Sequence, residues 1–197
     1  RNLEEQSFSG AVEIGNLILN KVSMGDFELS VIGSPEIKTY QLTTQLNLDN
    51  KNQLMGKGTV YVSNQLPNLD IDLAMNDFDL SFLSALGKDK MTDITGYLST
   101  DLNLWGPLND LKLNGQGTVN NGGFYFPSIN VRYAFEDSTP ITFRDQQFLL
   151  DRASFADIKS GTKGQVTGDM QHTNFNAWTL NLEVSSDRLL VYDKPQN

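Results

Sequence analysis

Apolar and polar side chains alternate along this chain in repeated runs of about seven to nine residues, the period of two that turns one strand face to a core and the other to water. The clearest runs are Leu42, Thr44, Leu46 and Leu48, then Leu69, Ile71, Leu73 and Met75, then Leu98, Thr100, Leu102 and Leu104. Ile129, Val131, Tyr133 and Phe135 follow, and Trp178, Leu180, Leu182 and Val184 lie near the end. The intervening positions are polar, among them Asp70, Asp72, Asp101, Asn103, Arg132, Asn181 and Glu183. Turn-forming residues at Asp49–Asn52, Gly106-Pro107, Asn120–Gly123 and Ser160-Gly161 separate the runs and predict antiparallel hairpins and meanders. The pattern predicts an all-β chain of about a dozen strands with one dry face and one wet face.

One segment changes period. Phe78, Phe82 and Leu86 fall four apart, which predicts a short amphipathic helix over Asp79–Gly87, capped by Asp79 and ended by Gly87. Such a helix would rest on the sheet as a lid over the core. A weak repeat, Gly-x-aliphatic, opens at Gly58, Gly96 and Gly164. Its intervals are too unequal for blades or solenoid units, so the expectation is one continuously growing sheet and a single β domain over residues 1–197.

The chain has 197 residues, 39% hydrophobic and 20% charged, enough for one sizeable core. Its net charge of -9 opposes the phosphate backbone and argues against a nucleic-acid partner. With no cysteine there are no disulfides, thiolate metal sites or thiol nucleophiles. No run approaches the roughly 18 apolar residues of a membrane span, and the N-terminus lacks signal-peptide character. The missing initiator Met and the polar last residues suggest a piece of a longer protein whose anchor lies elsewhere.

Candidate chemistry is sparse. His172 is the sole histidine and reads as a surface residue at a strand end. No Gly-x-Ser-x-Gly elbow occurs. Asp70-x-Asp72 with Asp77 and Asp79 invites a calcium reading, but Ala74 falls where an EF-hand loop needs a ligand, and alternation already explains both aspartates as solvated. Gly115-Gln116-Gly117 has Asn120 where a dinucleotide fingerprint needs glycine, and reads as a turn. The expectation is a non-catalytic chain with no metal and no cofactor. Its dry face is either the filled core of a β-sandwich module that binds a protein through its loops, or a groove open to an apolar ligand. A carbohydrate-acting β enzyme is a distant third.

The stretch from Gly96 to Pro127, with Gly-Tyr-Leu-Ser-Thr-Asp-Leu-Asn-Leu-Trp-Gly-Pro-Leu at its start and Asn-Gly-Gly-Phe-Tyr-Phe-Pro at its end, resembles the C-terminal domain of the TamB family (translocation and assembly module subunit), within the AsmA-like envelope proteins. Gly161–Gly168, with His172, Phe175, Trp178, Leu180 and Leu182 and the closing Asp187-Arg188-Leu189-Leu190-Val191, is similar to TamB-type proteins of Bacteroidota. The two stretches cover about half of the chain, and the first hundred residues carry no specific motif. The resemblance implies a long antiparallel sheet, curved into a U-shaped or taco-like groove with an apolar inner face. It implies a periplasmic location, with the full-length protein anchored in the inner membrane, and a role in protein secretion, outer-membrane biogenesis and phospholipid transport. Its partners would be phospholipid or another apolar ligand and, through parts outside this segment, an outer-membrane barrel protein of the Omp85 type. Leu98, Leu102, Leu104, Ile129, Val131, Trp178, Leu180 and Leu182 would line the groove. Cutting such a sheet leaves unpaired strand edges, so self-association is expected as well.

Overall fold

A computed structural model of the protein describes residues 8–34, 38–49, 51–62, 66–85 and 90–193. Within them the alternating runs form twelve strands: β1 (Phe8–Leu19), β2 (Val22–Ser34), β3 (Thr39–Leu48), β4 (Lys51–Tyr61), β5 (Asn68–Asp79), β6 (Thr92–Pro107), β7 (Lys112–Phe126), β8 (Val131–Phe135), β9 (Thr139–Asp145), β10 (Gln147–Asp157), β11 (Lys163–Thr173) and β12 (Asn176–Ser185). All twelve belong to one antiparallel sheet in the order of the chain. β8 and β9 share a single position between β7 and β10, so the sheet is an up-and-down meander whose end strands, β1 and β12, run in the same direction. This is the all-β, continuously paired architecture that the alternation predicts. A sandwich of two sheets is not present among the described residues.

Register carries the dry face across the whole sheet. One row of cross-strand partners runs from Val12 on β1 through Leu29, Leu73, Leu102, Phe143 and Phe148 to Leu180 on β12. Gly56 and Gly115 sit in the same row, the first between Thr44 and Leu73 and the second between Leu102 and Phe143. A Cβ on Gly115 would lie 2.7 Å from the Leu102 Cβ and 2.5 Å from the Asp101 carbonyl oxygen, so the glycine lets the leucine lie across the backbone. Gly115 and Gly117 are therefore strand residues inside β7, not the turn the sequence suggests.

Hairpins and bulges replace several other expected turns. Asn20 and Lys21 (φ 51° and 72°), and Asn174 and Phe175 (φ 48° and 61°), close β1–β2 and β11–β12 with two left-handed residues each, the backbone that follows the strand twist. Asn120–Gly123 lies within β7, where Asn121 (φ 51°) marks an irregularity in the pairing with β6. Ile129 belongs to the turn before β8 and not to the strand itself. The expected helix is a single 3-10 turn, Ser81–Ala85. Asp79 caps it, its Oδ1 accepting the Ser81 N–H at 2.8 Å, and Phe78 meets Phe82 edge to face, while Leu86 and Gly87 lie outside the described residues. No helix among the described residues is long and apolar enough to cross a membrane.

The sheet curls. β7 and β11 are three positions apart, about 14 Å in a flat sheet, yet the Asn174 side chain after β11 bonds directly to the turn before β7, donating to the Leu108 carbonyl at 3.0 Å and accepting the Leu111 N–H at 3.3 Å. At the opposite end the segment after β12 folds back over the dry face. Leu190 accepts the Tyr133 hydroxyl at 2.7 Å, and the Asp193 N–H reaches the Ile129 carbonyl at 3.0 Å. The 3-10 turn also leans inward, with the preceding Leu80 packed, partly buried, against the core and the Phe82 carbonyl accepting from the Asn20 side chain at 2.9 Å.

Candidate functional site

Curling sorts the dry face into a filled middle and open margins. Leu98 and Leu102 are buried with Leu113 and Phe143, and Leu104 is half-buried beside them. Val131 is buried in a second cluster with Tyr133, Phe155 and Val166, against which Ile129, Leu189 and Leu190 pack. Trp178, Leu180 and Leu182 stand on the edge strand β12 with 44%, 60% and 41% of their surface exposed. The eight residues expected to line a groove thus fall into three groups. Five belong to packing that the chain fills with its own side chains, and three form an exposed apolar stripe that Val184 extends. At the other margin Phe8, Val12 and Ile14 of β1 are exposed in the same way.

Several residues that shape this surface carry little signal in the sequence. Phe143 and Phe148, which meet at 5.1 Å, come from the short β9 and the start of β10, where alternation is brief. His172 is buried, contrary to the surface position expected for it. It lies at the closed end of the β11–β12 hairpin, stacked on Phe175 with ring centroids 4.6 Å apart, and it touches Trp178 and Phe148 at 4.9 and 5.3 Å. Its Nδ1 accepts the Phe175 N–H at 3.1 Å, which leaves the proton of the neutral ring on Nε2, and Nε2 has no partner among the described residues. The stack offsets the strain of a bulky residue at positive φ, about 1–3 kcal/mol.

Burial lowers the His172 pKa below its ordinary 6.5. The folded state therefore binds its proton less readily than the unfolded chain, so the contribution of the ring is complete above that ordinary value and lost as pH falls through the folded one. Protonation also sets Nδ1–H against the Phe175 N–H. In urea titrations between pH 7.5 and 5.5 (roughly one unit either side of the histidine range), the wild type is expected to lose stability on acidification. His172→Phe is expected to remove that part of the slope, and an unchanged slope would count against this role.

The wet face shows solvated polar pairing. Asp70 and Asp72, the pair that invites a calcium reading, both accept from the Asn103 side chain, at 2.9 and 3.1 Å. No cluster of three or more potential metal ligands occurs among the described residues. An open depression of about 610 Å³ over the wet face of the middle strands has Met55, Lys57, Asp72, Asp101, Asn103 and Asn114 in its lining, a charged and unenclosed setting. No protein-family model, curated protein or solved structure matches the chain.

Proposed function

We propose that this chain is a non-catalytic segment of a TamB-like periplasmic protein and that its dry face takes phospholipid acyl chains or another apolar ligand. The observation that supports this most is the mainly apolar row that register carries from β1 to β12, interrupted only by Thr44, Gly56 and Gly115 and ending in exposed side chains at both margins. A soluble protein rarely leaves such contiguous stripes uncovered without a use for them. The exposed stripe on β12 runs from Trp178 to Val184, about 20 Å along the strand and comparable to an extended acyl chain of about sixteen carbons. Each CH₂ withdrawn from water there contributes about 0.8 kcal/mol. The wider reading carries the rest as part of the same proposal. It comprises anchorage in the inner membrane, an Omp85-type barrel partner reached through other parts of the protein, and a share in outer-membrane protein assembly.

The test is a titration of delipidated protein with a fluorescent phospholipid, comparing the wild type with a Leu180→Asp, Leu182→Asp double variant. Both leucines are exposed, so the variant keeps its fold, which circular dichroism verifies. Saturable binding by the wild type, weakened at least tenfold in the variant, is the expected result. Absence of binding by both proteins would overturn the lipid reading and favour a structural module with a self-filled core.

A further inference from the structure

The two edges of the sheet differ, and the difference assigns a partner to one of them. Among the described residues β1 pairs only with β2, and its course is broken by register shifts on either side of Leu17, with Asn16 at φ 52°. Such irregularity blunts an edge against pairing. Among the described residues β12 pairs only with β11, and from Thr179 to Ser185 the pairing is regular, free of proline and lysine. Residues 186–193 turn over the dry face towards β8, and no described strand pairs with the outer edge of β12. A straight edge of unpaired N–H and C=O groups beside an exposed apolar stripe is a template for another strand.

We infer that β12 pairs antiparallel with β12 of a second copy, giving a closed dimer in which one sheet runs through both chains. Two copies that keep the dry face on the same side are related by a rotation about the sheet normal. Because β1 and β12 run in the same direction, only two junctions at β12 satisfy that condition, the half-turn at the other edge pairing the irregular β1 with itself. A half-turn places β12 against β12 antiparallel. No turn at all places β12 against β1 in parallel, a weaker pairing per residue and one that meets the irregular edge.

The sequence of β12 suits the half-turn. With the axis at Asn181, Leu180 faces Leu182 of the second copy, Trp178 faces Val184, and Glu183 faces Thr179, so apolar meets apolar and no like charges oppose each other. Moving the axis to Leu180 sets Val184 opposite Asn176, and moving it to Leu182 sets Trp178 opposite Ser186, so either shift shortens the apolar match. A slip of one residue would turn the apolar set outward. The contact is isologous and closes at two copies, whereas the β12–β1 junction would be open-ended. This inference does not rest on the lipid reading.

The chain contains no cysteine, so a single introduced thiol reports its neighbour unambiguously. Sedimentation equilibrium of the delipidated wild type is expected to fit a monomer–dimer equilibrium with no larger species. Asn181→Cys is expected to oxidise to a covalent dimer, while Ala11→Cys on β1 stays monomeric under the same conditions. Thr179→Arg, placed opposite Glu183 of the second copy, tightens the dimer several-fold and Thr179→Glu weakens it. A monomer throughout the micromolar range, oligomers that keep growing, or cross-links confined to a mixture of the Asn181→Cys and Ala11→Cys proteins would each overturn the inference.

Discussion

Leu102→Asp is expected to unfold the protein, whereas Leu180→Asp, on the same apolar row, is expected to change stability by no more than about 0.5 kcal/mol. Leu102 has 6% of its surface exposed and Leu180 has 60%. Leu102 lies between Leu73 on β5 and Gly115 on β7, in the cluster of Leu98, Leu113 and Phe143. A carboxylate there loses the apolar burial of the leucine, worth about 2–3 kcal/mol, and meets a site that supplies no partner for the charge. The added desolvation is several kcal/mol more. Together these consume most of the 5–15 kcal/mol typical of a domain. Urea unfolding followed by circular dichroism reads both variants. If Leu102→Asp stayed folded with a small loss, the middle of the dry face would be open to solvent, and the distinction between filled middle and open margins would fall.

That distinction marks what the sequence can and cannot convey. Alternation is local, and it identified the strands around Leu69–Met75, Leu98–Leu104 and Trp178–Val184 because each has one apolar and one polar face regardless of what covers it. Coverage is not local. Leu102 and Leu180 occupy equivalent positions in their strands, and only the curl that brings Asn174 to Leu108 makes one interior and leaves the other at an edge. The same limit explains His172. A lone histidine near a turn reads as surface, yet the hairpin closes with Phe175 in a left-handed conformation and folds the ring onto Phe148 and Trp178 from two other strands. Glycine-rich stretches misled for a related reason. Asn120–Gly123 and Gly115–Gly117 have turn composition, but in a strand of fifteen residues they make room for Leu102, Thr100 and Phe135 on neighbouring strands. The helical spacing of Phe78 and Phe82 reflects a strand end followed by one tight turn.

Asp157 had no signal at all, being one carboxylate among many in an acidic chain, and its replacement is expected to have the second-largest effect. It ends β10 with 1% of its surface exposed. Its carboxylate accepts the Ser160 N–H at 2.6 Å, the Thr162 N–H at 2.9 Å and the hydroxyls of both residues, so it organises the whole β10–β11 turn. The Thr162 hydroxyl in turn accepts the Leu190 N–H at 2.8 Å, and the Leu190 carbonyl accepts the Tyr133 hydroxyl. One carboxylate thereby holds the returning segment over Val131, Tyr133 and Phe155. Asp157→Ala leaves these donors without their acceptor, and because hydrogen bonds to a charged group contribute about 1.5–3 kcal/mol, a loss of about 3 kcal/mol is expected.

The pH dependence supplies an independent check. Burial pushes the carboxyl pKa up, but the hydrogen bonds from Thr162 and Ser160 outweigh it and lower the value from 3.8 to about 2. The folded state thus holds the ionised form more strongly than the unfolded chain does. The stability this contributes is complete above pH 3.8 and is lost as pH falls towards 2. Asp157→Asn keeps the shape of the side chain and removes the charge. Urea midpoints measured down to pH 2 for the two proteins are therefore expected to converge, the wild type being the more stable at neutral pH and losing its advantage only in that acidic window. Parallel curves, with the gap unchanged across the window, would mean that the carboxylate is not what holds the turn and the returning segment together.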